Sequence, residues 1–304
     1  MNIGMGCEAI TKAFGIDEGF AMLREAGFRC VDFDLASWLG YNDIVKGNLQ
    51  GRFELPTDEQ LEILRPYKEA AKKYGIRIWQ AHAPYPSFVL NSDTNRYVWE
   101  ATRRCIALCG YLHCGYLVVH PAFLDYADKL SAKAEWDYNI EMYGAMLEAL
   151  RTHDVVACLE NIYTRYDGRI YDSVCCEMGI ANRYVDTLNA MAGERRFGFC
   201  LDTGHALLTR NDIYTAVTEL GDNLVCLHIH DNDGVRDEHV PPYMGILDWQ
   251  RFLRALKKNN YQGCLNFEVD SMFTRFKTPV QRELLQLTAA IGTGFVRQMA
   301  EMEA

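Results

Sequence analysis

The chain has 304 residues, 49% of them hydrophobic and 24% charged, with a net charge of −10 and a sequence pI near 5.3. This is the composition of a globular enzyme, and its negative field works against a nucleic-acid partner, because Arg103-Arg104, Arg195-Arg196 and Lys257-Lys258 are isolated pairs rather than a basic patch. No run of 18 apolar residues occurs and the start, Met1-Asn2-Ile3-Gly4-Met5-Gly6, lacks a basic leader, so the expectation is a cytoplasmic chain that does not enter a membrane.

Short apolar runs alternate with longer segments of helical period. Strands are predicted near residues 3–8, 29–34, 76–81, 115–120, 155–160, 197–202, 224–230 and 263–269. Helices are predicted near 17–27, 57–74, 94–113, 134–152, 181–193, 211–220, 248–259 and 279–300. Thr57 and Gln60 have the spacing of a reciprocal capping pair, and Val98, Ala101, Cys105, Leu108, Cys109 and Leu112 form one apolar stripe on the third helix. Helix-to-strand connections are brief, whereas the strand-to-helix loops 35–56, 161–180 and 231–247 are long. Eight such units predict a (β/α)8 TIM barrel, a single domain over residues 1–304, with its functional face at the carboxyl ends of the strands. A doubly wound dinucleotide fold is disfavoured, because Gly4-Met5-Gly6 lies inside the first strand rather than after it. The eleven cysteines are odd in number and sit mostly in apolar runs, as free thiols of a reducing compartment do.

Nine residues with metal-binding side chains stand at or just after the predicted strands: His82, His120, Glu160, Asp202, His205, His228, Asp237, His239 and Glu268. His82 and His120 follow the third and fourth strands, each ahead of a proline that stiffens the loop. Glu160 and Glu268 end apolar strands, where a carboxylate needs a counter-charge that a cation would supply, and the pair is the candidate acid and base. In Leu201-Asp202-Thr203-Gly204-His205 a carboxylate and an imidazole can address one centre, although Asp202 as a plain helix cap accounts for the same pattern. His228 and His230, two apart on a strand, share one side, and either can reach a metal. Asp237 and His239 are either further ligands or a salt-linked pair in an exposed loop. His113 and His153 close helices and are set aside. Trp38, Tyr41, Trp79, Tyr85, Phe88, Phe123 and Tyr163 are candidate pocket walls, and the 35–56 loop is a candidate lid.

Leu159-Glu160-Asn161, Leu201-Asp202-Thr203-Gly204-His205, His228-Ile229-His230-Asp231 through Asp237-Glu238-His239 to Leu247-Asp248-Trp249, and Phe267-Glu268 together resemble the xylose isomerase-like barrel superfamily over nearly the whole chain. That superfamily includes sugar phosphate isomerases and epimerases, ketose 3-epimerases, inosose dehydratase and endonuclease IV-type apurinic endonucleases. For the isomerase and epimerase branch the resemblance implies one divalent ion, Mn²⁺, Zn²⁺, Co²⁺ or Mg²⁺, held by Glu160, Asp202, His228 and Glu268. It implies Glu160 and Glu268 as acid and base in proton transfer through a metal-stabilised enediolate of a small sugar or sugar phosphate. His205 and His230 would then bind sugar hydroxyls, with Arg236, His82, Trp38 and Tyr85 as further substrate contacts. For the endonuclease branch it implies a three-zinc cluster, for which all nine ligand types have counterparts, so a phosphodiester hydrolase is the runner-up, beside an inosose dehydratase-like lyase and a catalytically silent sugar-binding barrel. One ion is expected rather than three. Arg236, Arg275 and Lys277 occupy loops where barrels often bind phosphate, and exposed loop aromatics suit a homodimer.

Overall fold

The structure, a computed structural model, describes residues 1–124, 126–276 and 278–302. Along the chain its strands are β1 (Asn2–Gly6), β2 (Cys30–Asp34), β3 (Arg77–His82), β4 (Tyr116–Val118), β5 (Val156–Glu160), β6 (Tyr163–Tyr166), β7 (Arg169–Asp172), β8 (Phe197–Asp202), β9 (Leu224–His228) and β10 (Cys264–Phe267). All eight strands expected from sequence are present, within a few residues of the predicted ends, with helices between them. The chain forms two compact units interleaved in sequence: Met1–Phe33, Pro66–Trp79 and Cys200–Ala304 make the first, Asp34–Arg65 and Gln80–Phe199 the second.

In the first unit β1 lies between β10 and β2, parallel to both, with Gly4 in register with Asn266 on one side and Cys30 on the other. Ile229, just past β9, bridges Phe267 of β10. The strand residues are nearly all buried, as in a sheet covered on both faces. The Ile16–Ala26 helix contributes buried Phe20 and Leu23, and it stops at Gly27, whose left-handed backbone suits a residue without Cβ.

In the second unit Gln80–His82 pair in parallel with Tyr116–Val118, and these with Val156–Cys158. The Ser92–Leu112 helix buries the whole predicted stripe, Val98 to Leu112, and is capped by Asn91, whose side chain accepts from the amides of Asp93 and Thr94. The helix Thr57–Tyr74 has the predicted bounds, but its start is held differently from expectation. The Gln60 amide donates to the carbonyls of Phe53 and Leu55, tying the helix to the preceding turn, instead of closing a reciprocal box with Thr57. The predicted helix 134–152 is broken into Ala132–Gly144 and Leu147–His153, the first ending at a poor helix former.

Two strand-to-helix loops carry structure that the sequence reading left irregular. Residues 36–54 include a helix at Tyr41–Lys46, and β6 and β7 form an antiparallel hairpin in the 161–180 stretch. Its Asp167-Gly168 turn has φ of 48° and 71°, the geometry that this dipeptide favours in two-residue hairpins. All eleven cysteines are free and buried, in line with the expectation. Among the described residues no helix is long and apolar enough to cross a membrane.

Candidate metal centre

In the second unit β3 and β5 end in His82 and Glu160, and His120 follows β4. The His82 Nδ1 lies 2.7 Å from the Ala83 carbonyl, an acceptor only, so Nδ1 carries the proton and a neutral ring leaves Nε2 as a lone pair. That Nε2 faces His120 Nε2 at 3.2 Å and Glu160 Oε2 at 3.6 Å, and His120 Nε2 lies 3.1 Å from the same oxygen. Three donor atoms thus converge, a geometry suited to a cation. Tyr85 stacks on the His120 ring at 4.6 Å and meets His82 edge-on, with Tyr41 beyond it. Trp38 is placed elsewhere: its ring is buried against Phe53 beneath Arg52.

The first unit gathers the remaining six of the nine residues, and adds others. Asp202 closes β8 and serves two partners: Oδ1 accepts the His205 backbone amide at 2.6 Å, capping the Thr203–Leu208 helix, and Oδ2 pairs with His230 Nε2 at 3.0 Å. The cap expected from sequence is thus present, and the second carboxylate oxygen faces a buried imidazole. The His230 ring is fully buried and stacks on His239 with centroids 3.9 Å apart. Its Cε1 also sits against Gly204, where an added Cβ would come within 1.9 Å of that ring carbon, so any side chain here would displace the imidazole from Asp202.

His228, 1% exposed at the end of β9, places Nε2 3.2 Å from Asp32 Oδ2 and Nδ1 3.4 Å from Glu268 Oε2. Asp202, His228 and Glu268 each offer an atom within 4.8 Å of the others, and so do His230, His239 and Glu268. Asp237 lies between His205 Nε2 at 3.4 Å and His239 Nε2 at 3.3 Å. Burial opposes ionisation of Asp237, but the hydrogen bonds and charges of those two rings hold its carboxyl well below the usual carboxylate range. Burial likewise opposes a charge on His239, yet Glu268, Asp237 and Asp202 raise it to about 10. A proton held on His239 by the surrounding carboxylates is what a divalent cation would displace on binding. The donor set, carboxylate oxygen with imidazole nitrogen, fits a first-row divalent ion better than the oxygen-preferring calcium.

Arg236 is exposed and engaged by Asp233, through Nε at 2.9 Å and an Nη at 2.7 Å, and by Glu238 at 3.2 Å. Arg275 closes the short Asp270–Arg275 helix, and Lys277 lies outside the described residues. Three functional-looking residues were not picked out from sequence. Asp32 was legible as a carboxylate inside the apolar run Cys30–Phe33 but stood far from any histidine in the chain. Gly204 and Asp231 were legible only as motif neighbours. Asp231 is fully buried and accepts from the amides of Asn232, Tyr243 and Leu247 and from the Trp249 indole, pinning the 232–249 loop.

A family model described as xylose isomerase-like TIM barrel matches residues 20–288. The chain belongs to this family. Among solved structures, a D-tagatose 3-epimerase-like protein is 18% identical with a TM-score of 0.69 over 97% of this chain and 100% of that one. The IOLI protein with a bound zinc atom is 16% identical with a TM-score of 0.70 over 99% and 100%. At these identities the likeness shows the fold, which is the (β/α)8 barrel expected for a xylose isomerase-like chain. The protein y4fM of Sinorhizobium fredii is 38% identical over 88 residues, a match covering 29% of this chain and 25% of that protein.

Proposed function

We propose that this xylose isomerase-like barrel is a divalent-metal-dependent isomerase or epimerase of a small sugar or sugar phosphate. The observation that carries the reading is the convergence of Asp202, His228 and Glu268, with one His228 nitrogen engaged by Asp32 and the other turned toward Glu268. Glu160, at the end of β5, is assigned as the fourth ligand. A bound divalent ion would polarise a substrate carbonyl and its neighbouring hydroxyl, making the intervening carbon-bound proton acidic. One of Glu160 and Glu268 then takes that proton: its return to the adjacent carbon isomerises, and delivery of the other glutamate's own proton to the opposite face of the same carbon epimerises. His205 and His230 orient hydroxyls, Tyr85 walls the side of His82 and His120, and Arg236 and His82 are the remaining candidate contacts, whereas Trp38, buried against Phe53, is not one. The family resemblance and the sugar epimerases among proteins of similar fold support this chemistry over others.

The test is solvent deuterium incorporation into a panel of ketoses, ketose phosphates and cyclitols by the Mn²⁺- or Co²⁺-loaded protein. Exchange that falls at least about 100-fold in Glu160→Gln and Glu268→Gln is expected, from the size of general acid–base contributions. Full exchange in both variants would remove the acid–base assignment, and no exchange with any substrate would remove the isomerase reading.

One observation favours a second reading. The ligand-type residues converge at more than one place: His82, His120 and Glu160 in one unit, and Asp202, His228 and Glu268 in the other, where Asp237 also lies between His205 and His239. Three zinc ions per chain with hydrolysis of a phosphodiester, and no deuterium exchange into sugars, would favour the trinuclear hydrolase. The net charge of −10 argues against a duplex as its substrate.

A further inference from the structure

The side chains flanking β1 meet across it because Gly4 has none. Asn266 of β10 is in register with Gly4 and Asp32 of β2 with Gly6, and a Cβ at Gly4 would lie 3.0 Å from Asn266 Oδ1 and 2.8 Å from Cys264 Sγ. Through this gap Asn266 Nδ2 donates to Asp32 Oδ2 at 3.1 Å, and the same oxygen lies 3.2 Å from His228 Nε2. Asn266 is fully buried and Asp32 is 8% exposed. The His228 ring is thus gripped from behind, and its other nitrogen, Nδ1, looks toward Glu268 Oε2 at 3.4 Å. Among the described residues Asp32 is in none of the groups whose atoms converge for a cation, and its Oδ2 faces the His228 ring and the Asn266 amide.

We propose that Asp32 is a positioning residue for the metal centre: oriented by Asn266, it fixes His228 as the Nε2–H tautomer, so that Nδ1 presents its lone pair to the cation shared with Asp202 and Glu268. The inference rests on the metal reading given under Proposed function and deepens it. A carboxylate behind a ligating imidazole fixes both tautomer and ring angle and makes the ligand more basic. The glycine in β1 then has a role too, since it is the gap that lets β10 reach β2. A merely structural Asp32 would also use these hydrogen bonds, but its loss would leave the ligand field of a bound metal unchanged.

The test is titration of the full chain with Co²⁺, reading the d–d absorption bands and the affinity in competition with a chelator, alongside thermal unfolding of the metal-free protein. The variants are Asp32→Asn, which keeps the shape and an acceptor but not the charge, Asp32→Leu, which keeps neither acceptor nor charge, and His228→Ala as the reference for a lost ligand. Affinity is expected to fall by about 10-fold in Asp32→Asn and about 100-fold in Asp32→Leu, with shifted bands in both. Wild-type affinity and unshifted bands in a folded Asp32→Asn would overturn the positioning role, and that variant decides alone if Asp32→Leu does not fold. A wild-type chain that takes up no Co²⁺ would overturn the metal reading and this inference together. Wild-type uptake that is lost in His228→Ala but indifferent to Asp32 overturns the positioning role only.

Discussion

At the scale of single residues, the site is shaped as much by what glycine omits as by what histidine supplies. Gly204 supports the His230 ring, which in turn bonds Asp202 and stacks on His239. Gly204→Ala is therefore expected to expel the ring from its slot and cost about 2 kcal/mol, the usual scale of overpacking in a filled core. Urea unfolding of the metal-free protein measures this, and Co²⁺ affinity should weaken in the same variant because Asp202 loses its partner. Unchanged stability and unchanged affinity would mean that the ring has another place to go. The nine ligand-type residues were legible because carboxylates and imidazoles are conspicuous at the ends of apolar runs. Their grouping was not, since which nitrogen meets which oxygen depends on backbone carbonyls such as that of Ala83, which sequence does not place.

At the scale of elements, the loop after β9 is organised from a single buried carboxylate. Asp231 takes four hydrogen bonds, three from backbone amides up to Leu247 and one from Trp249, and its own backbone pairs with Val240. Replacing it by Ala leaves those buried donors without an acceptor and is expected to destabilise the protein by about 3 kcal/mol or more. Limited proteolysis should then cut within the 232–248 loop of the variant while the wild type resists. The same loop carries a pH signature. The backbone amide of Arg236, then its guanidinium, then the amide of Val235 hold the Asp233 carboxyl at about 2, against 3.8 for a free group. A lowered carboxyl stabilises the fold above its unfolded value and loses that contribution as pH falls through the folded one. Protection of this loop should accordingly decline between about pH 4 and 2, and an Asp233→Asn variant should lack that decline. A pH-independent wild type would count against the Asp233 hydrogen bonds to Val235 and Arg236 as a support of the loop. Long amphipathic helices such as Ser92–Leu112 were readable from their stripe, because burial of one face decides them. Short elements were not: the Tyr41–Lys46 helix has too few turns for a period to show. The β6–β7 hairpin had its signal in Asp167-Gly168, but the chain around it reads as a polar loop.

At the scale of the whole molecule, the alternation of apolar runs with helical segments was enough for the barrel, and the asymmetry of loop lengths pointed to the carboxyl ends of the strands, where His82, Glu160, Asp202 and His228 stand. The number of ions was not legible, because one shared centre and three separate ones draw on the same residue types. Binding of any of them only to the folded chain raises its stability by mass action, about 2.7 kcal/mol at a free ion concentration 100 times the dissociation constant. Thermal unfolding should thus rise with added Co²⁺ or Mn²⁺ and fall again with chelator, with no such rise in Glu268→Gln if that carboxylate is a ligand.

The eleven buried thiols are spread from Cys7 to Cys264, along strands, helices and loops of both units. Each is shielded from a water-borne alkylating reagent until its own neighbourhood opens, so the native chain contains a set of internal clocks. Pulse alkylation read by mass spectrometry would time local opening at each position without any introduced label. The cysteines of β8, β9 and β10, on the strands leading to Asp202, His228 and Glu268, would report how far an ion slows the breathing of its own scaffold.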